Sequence, residues 1–545
     1  MKKKSVLCFA LSILMVLSLT ACGKKTNQTE DAMADSSDIV QEDQDKTEVE
    51  VEESVSEAVD ESASDSGTVH TLHLTRAKAY DYYYDEEYNK LLATMSYPCI
   101  LLEDCCAQNY QALSKSLAEL NESEKSIATA QYNELVAAAK SDIAENFSFD
   151  YQYELEETAS VRRADSNVLS LLYCGYMYSG GVHGSGYYWG ENIDAATGNK
   201  IKLADVVTDV NALPELIKTQ LIKYYGSEGF YTDLDLGTYL SENLDSLTWV
   251  LDYNGITFYF DPYEIGPYAA GTFIAAIPFA ENPDLFTEKY KSVPDSYGIE
   301  LLEYDPFYFD LNNDGTLDEL SIYGTWGSYG DVLEYHRISI NDNLYESETW
   351  AYSIDMQLIH TVDGKNYIYI QDTSDNDFEI MTVYNVSNGY TEKVGSVNLG
   401  WHETYVEEAD YWCLEQIATD PGQMKLDTRT DLLSTVTAYK NYRVDTTGMP
   451  ITDDKWYIFE SPLSFTVKQN FEADVIDEIS GEKLAGTTVK AGDSVLYYRT
   501  DGESVADFKL SDGSVVRVNV DKTNWPRTIS GIDIEELFDG TLFAG

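Results

Sequence analysis

Between residues 109 and 147 the apolar side chains fall at helical spacing: Leu113, Leu117 and Leu120, then Ile127, Tyr132, Leu135, Val136, Ala139 and Ile143. Steps of three and four put them on one stripe, which predicts a long amphipathic helix. A second helix is predicted over 213–225, with Pro214 in its first turn, where a missing N–H is tolerated. Elsewhere the period is two. Residues 70–74 alternate, 149–163, 168–178, 247–263 and 272–278 read as strands, and 192–203 as strand, turn and strand around Ala196-Thr197-Gly198-Asn199. Helices and strands do not alternate in the βαβ manner. Residues 68–294 are therefore predicted to form an α+β module, an antiparallel sheet with helices.

After residue 295 the helical signal fades. Strand-like runs at 320–323, 337–340, 367–370 and 380–384 predict a β-rich domain over 295–471, propeller-like or a sandwich. No repeat period is clean enough for a complete propeller. In 472–545 the turn pairs Asp501-Gly502 and Asp512-Gly513 separate three strand-like runs, which predicts a small SH3-like β-barrel.

The amino end follows neither period. Lys2, Lys3 and Lys4 precede an apolar run over 6–19, too short for a comfortable membrane span but suited to a secretory signal. The ending Leu19-Thr20-Ala21-Cys22-Gly23 resembles the bacterial lipobox. That resemblance implies cleavage of the 1–22 signal before Cys22 and lipidation of its thiol by diacylglyceryl and N-acyl (palmitate-type) chains. Two or more chains give stable anchoring to the extracytoplasmic face of the bacterial cell membrane. Residues 23–67 are rich in Asp, Glu and Ser and lack aromatics, so they are expected to be a disordered acidic linker. A flexible coil of that length spans ~35 Å, and self-repulsion extends it. The linker would hold the folded part away from the membrane, in the cell envelope.

The 545 residues carry 95 acids against 36 bases, a formal charge of −59. Phosphate binding needs a basic face, so a nucleic-acid partner is excluded. A diffusing partner is expected to be basic or neutral. Tyr occurs 43 times, a composition that suits sheets and amphipathic binding faces. Beyond Cys8 and Cys22, five cysteines remain (Cys99, Cys105, Cys106, Cys174 and Cys413) without a Cys-x-x-Cys pair. Neither a disulfide framework nor a zinc site is indicated, although one bridge from Cys174 to Cys99, Cys105 or Cys106 stays open.

Two linked stretches carry a family resemblance. The first holds Tyr178-Ser179-Gly180-Gly181-Val182-His183-Gly184, then Asn192-Ile193-Asp194 and Thr197-Gly198-Asn199-Lys200. The second runs Gly255-Ile256-Thr257-Phe258-Tyr259-Phe260-Asp261-Pro262-Tyr263-Glu264-Ile265-Gly266-Pro267-Tyr268, with Gly271 and Ile277-Pro278 after it. They resemble the extracellular module of unknown function in the lysozyme-sensing anti-sigma factor RsiV, found also N-terminal to the catalytic domain of the peptidoglycan deacetylase PdaC. Tyr97-Pro98 resembles the upstream half of that module, so the resemblance covers about 69–294. It implies binding of a basic protein such as lysozyme, or proximity to cell-wall chemistry. No paired-Asp, His-x-x-x-His deacetylase domain is recognisable. His183, Tyr263, Glu264 and Tyr268 are candidate binding residues. His183 has no partner nucleophile at a telling spacing, and aromatics at such a corner also simply pack.

One metal motif stands out, Asp310-Leu311-Asn312-Asn313-Asp314-Gly315-Thr316-Leu317-Asp318-Glu319. Asp310, Asn312, Asp314 and Asp318 fall at loop positions 1, 3, 5 and 9, Gly315 sits at the bend, and Thr316 offers its carbonyl. This is ligand spacing for a structural Ca²⁺. Ser321, not Glu, occupies position 12, and strand-like flanks resemble integrin-type propeller calcium loops. An Asx-rich hairpin turn without metal is the competing account. His-Glu-x-x-His, Gly-x-Ser-x-Gly and the Walker lysine loop are absent. The expectation is a non-enzymatic, membrane-anchored binding lipoprotein for a cell-wall-related ligand or a lysozyme-like secreted protein. The alternative is a cell-wall glycan or peptide hydrolase, or a deacetylase-associated enzyme.

Overall fold

The computed structural model describes residues 68–145, 152–327, 332–375, 378–405 and 413–543. Cys22 and the 23–67 segment lie outside the described residues. β1 (Leu74–Asp85) and β2 (Lys90–Leu102) form an antiparallel hairpin, the predicted helix α1 (Gln111–Glu145) follows, and β3 (Tyr153–Ala164) then runs parallel to β2. An all-antiparallel sheet is thus corrected at this pair. The 35 residues of α1 extend about 52 Å at 1.5 Å per residue, enough to return the chain along the whole of β2. The βαβ unit ruled out from the sequence is present once.

The stripe of α1 divides between two parts of the core. Leu113, Leu117 and Leu120 pack with Ile100, Leu169 and Leu171. Ala128, Tyr132, Leu135, Ala139 and Ile143 pack with Ala77, Ala79, Met95 and Leu155. Asn121 interrupts the stripe for a reason. Its Oδ1 accepts from Ile100 N (3.1 Å) and its Nδ2 donates to Ile100 O (2.9 Å), which satisfies buried backbone of β2.

β4 (Val168–Tyr178) and β5 (Ser185–Asp194) complete one side of this sheet. On the other side β1 pairs with Cys413–Ile417, which pairs with Glu403–Tyr405, giving seven strands. Arg76 of β1 seals the join. Its guanidinium binds Glu415 at 2.8 Å and Glu300 at 2.9 Å and donates to Ala159 O at 2.8 Å, all largely buried.

After β5 come α2 (Leu213–Tyr225), α3 (Leu236–Asn243), β6 (Thr248–Leu251), β7 (Gly255–Phe260) and β8 (Phe273–Pro278). The last three form a small sheet under the two helices. α3 escaped the sequence reading, although Asp235 caps it by accepting from Thr238 N (3.2 Å).

The remaining strands form a four-stranded sheet, a five-stranded sheet and a 13-stranded sheet. The C-terminal SH3-like barrel is corrected. Among the described residues no sheet closes on itself. Tyr457–Val467 pairs with Ser494–Thr500 and also touches Val436–Val444, so the strands expected to close a barrel extend a larger open sheet. A propeller does not emerge from the 295–471 strands either. Ladder hydrogen bonding crosses both expected boundaries, at 294 through the pairing of Lys78 with Cys413 and at 471 through that of Leu463 with Tyr497. Among the described residues no helix is long and apolar enough to cross a membrane. Cys99, Cys105, Cys106 and Cys174 are free thiols.

Candidate functional site

The Gly-rich turn between β4 and β5 and the proline-bracketed corner after β7 meet. Gly180 and Gly181 take φ of +89° and +100°, a conformation that favours glycine. A Cβ on Gly180 would also sit 2.8 Å from the Tyr153 hydroxyl. The turn presents His183, whose Nδ1 donates to Gly184 O (2.8 Å). That carbonyl also accepts from the Tyr268 hydroxyl (3.2 Å). The His183 ring stacks on Tyr268, with centroids 4.1 Å apart and planes at 19°. Tyr263 follows at 5.2 Å from Tyr268.

Three of the four candidate binding residues are therefore gathered into one row, with His183 and Tyr263 exposed and Tyr268 half-buried between them. Tyr263 is 57% exposed and is held at φ +71°. A left-handed non-glycine residue costs roughly 1–2 kcal/mol, and such strain concentrates at binding sites. Glu264 does not join the row. Its Oε2 accepts from Asp261 N (3.0 Å) and its Oε1 from the Tyr239 hydroxyl (2.7 Å), so it braces the corner.

Tyr176 of β4, which the sequence reading passed over, lies beside the row. A Cβ on Gly184 would overlap its ring. Alternation along β4 was the available signal.

The predicted metal loop folds upon itself. Asp310 accepts from Asp314 N (3.0 Å) and Gly315 N (2.8 Å), Asn312 from Asp314 N (2.9 Å), and Asp314 from Thr316 N (2.8 Å). Asp318 accepts from Leu311 N (3.1 Å) and from Asn341 Nδ2. These are nested Asx turns. Among the described residues no group of three or more His, Cys, Asp and Glu side chains gathers to hold a metal. A cation here would depend partly on Asn312 and on the Thr316 carbonyl.

Two other acidic groups have altered chemistry. Burial pushes the Glu157 carboxyl up to about 7, against the donated Tyr187 hydroxyl at 2.7 Å. Glu157 is only 4% exposed, so no substrate reaches it. Burial and the adjoining Asp427 push Glu379 up to about 9. The cleft there measures about 100 Å³, well below the roughly 300 Å³ at which ligand pockets begin. A wider depression of about 520 Å³ is lined by Ala212, Glu215, Leu216 and residues 281–285. It is shallow and holds no arranged acid and base.

This geometry defines a class first: an α+β module whose conspicuous feature is an exposed aromatic row, with no assembled catalytic centre among the described residues. Comparison with known families then bears out the resemblance stated above. Residues 85–186 match the family model described as Deacetylase PdaC, and residues 205–280 match that described as Protein of unknown function (DUF3298). His183 lies in the first match, and Tyr263 and Tyr268 in the second, so the row joins the two. Among solved structures, a DUF3298-family member from Bacteroides fragilis is similar at 18% identity, covering 40% of this chain and 95% of its own, with a TM-score of 0.31. A DUF3298-family protein from Pseudomonas aeruginosa is similar at 14% identity, covering 41% and 97%, with a TM-score of 0.28. No curated protein matches.

Proposed function

We propose that this chain is a cell-envelope lipoprotein, anchored through Cys22 and extracytoplasmic. In this reading its PdaC- and DUF3298-like module binds a cell-wall-related ligand or a secreted protein without catalysis. The observation that carries it is the His183–Tyr268–Tyr263 row, whose outermost residue, Tyr263, is exposed and held in a left-handed backbone conformation. The PdaC-type match supports a place near the wall. The same proposal treats the 310–319 loop as a structural calcium site on the ligand spacing of Asp310, Asn312, Asp314, Thr316 and Asp318 around Gly315.

The test is capture of the mature chain by immobilised lysozyme and by soluble wall fragments, for the native protein and for Tyr263→Gly. Retention on at least one, weakened by the substitution, is the expected result. Turnover of a wall substrate without retention on either would sink the proposal in favour of a hydrolase.

A further inference from the structure

One face of the first sheet is covered by α1, against Ala77, Ala79, Met95 and Leu155. Ladder register fixes what the opposite face carries, because paired residues share a face. Tyr82 pairs with Thr94, Thr94 with Glu154, and Glu154 with Tyr178. In the next row Tyr80 pairs with Ser96, Ser96 with Glu156, and Glu156 with Tyr176. Tyr80, Tyr82 and Tyr176 are 51%, 59% and 40% exposed. The tyrosines of β1 and β4 are three strand spacings apart, about 14 Å, and the two glutamates lie between them. No hydrogen bond or ion pair joins either glutamate to a described residue. Burial, with the nearby Glu156, raises the Glu154 carboxyl above its ordinary value.

We propose that this face docks a cationic protein segment, its lysine or arginine side chains pairing with Glu154 and Glu156 and resting on the flanking tyrosine rings. The inference rests on the binding reading above and names the partner's chemistry. Charge selects the occupant. Residues 24–67 are acidic and a second copy carries the same −59, so either would add repulsion. A neutral glycan would leave the half-buried Glu154 carboxylate, with exposed Glu156 beside it, uncompensated. A cation meets both the carboxylates and the ring faces. The face is continuous with the aromatic row, since Tyr176 packs over Gly184.

The experiment uses the mature chain with two probes, a decalysine peptide and neutral chitotetraose, and measures Kd at two salt concentrations. Decalysine is expected to bind more weakly at high salt. Glu154→Gln with Glu156→Gln is expected to weaken it about tenfold, the sum of two half-exposed ion pairs and their ring contacts. Tyr80→Ala with Tyr82→Ala should weaken it with the charge unchanged. A control, Glu535→Gln with Glu536→Gln on the exposed face of Ile534–Leu537, should change it less than twofold. Equal losses for both glutamate pairs would mean attraction by the diffuse field, and would overturn the proposal. So would tyrosine-dependent binding of chitotetraose with none of decalysine. If wall fragments are captured through Tyr263 while decalysine ignores Glu154 and Glu156, this inference fails and the wider binding reading stands.

Discussion

Glu379→Gln should stabilise the protein, increasingly as pH rises. Glu379 accepts from Gln371 Nε2 (2.9 Å), Gln371 Oε1 accepts from Trp401 N (2.5 Å), and Asp427 lines the same small cleft beside the Glu379 carboxyl. Its ordinary value is 4.5, and burial with Asp427 pushes it to about 9. The folded chain therefore keeps a proton that the unfolded chain releases. Stability falls as pH rises from about 4.5 to about 9 and is flat outside that window. At pH 7.5 the ceiling is about 4 kcal/mol, at 1.36 kcal/mol per unit. Residual solvent contact of this half-buried group brings the expectation to about 2 kcal/mol. Glutamine can still accept from Gln371 through its Oε1 and has no proton to lose, so the variant lacks the slope. The assay is guanidinium unfolding followed by tryptophan fluorescence, with buried Trp401 as the nearby reporter. The variant's advantage should be small at pH 5 and largest near pH 8. An equal difference at both pH values, or a variant less stable at pH 8, would refute the retained-proton account.

Three further outcomes are expected. Tyr263→Gly should raise stability by about 1 kcal/mol in chemical denaturation, because glycine takes the left-handed conformation freely, while weakening retention on lysozyme or wall fragments. Arg76→Met should lower stability by about 3–5 kcal/mol, since it strands Glu300 and Glu415 in the interior; thermal melts should show a smaller loss in acid, where both carboxylates protonate. Calcium should raise the melting temperature of the soluble chain, and Asp314→Ala should remove that rise; no calcium effect on the native chain would leave the loop a plain turn.

Much of the first module was legible because its patterns are local. The three- and four-residue steps of α1 match its buried face except at Ile127, which is exposed while Ala128 is buried, and 168–178 emerged as β4 with unchanged limits. β2 stayed hidden because its buried positions run in unbroken stretches of four, with no alternation to read. With β2 missed, its parallel pairing to β3 across α1 had no sequence signal. The aromatic row was half legible. His183, Tyr263 and Tyr268 were marked by their glycines and prolines, but their stacking joins segments about 80 residues apart. Glu264 looked the same in sequence as its neighbours, and only its two hydrogen bonds assign it to bracing the corner. The barrel expectation failed because the strand-like runs at 494–520 do not reveal that Tyr457–Val467 also joins their sheet. Glu379 and Asp427, 48 positions apart, carried no mark at all.

The bond from Arg76 to Glu415 spans 339 residues, and it sets an order of assembly. The second strand edge of β1 finds no partner until Cys413–Ile417 has been synthesised. Through the intervening chain that edge offers open N–H and C=O groups to any passing strand, and closing so distant a contact is slow. A chain cut after residue 294 would retain both family-matched segments and still leave this edge bare. The unit that can fold to completion is therefore longer than the segment that carries the resemblance.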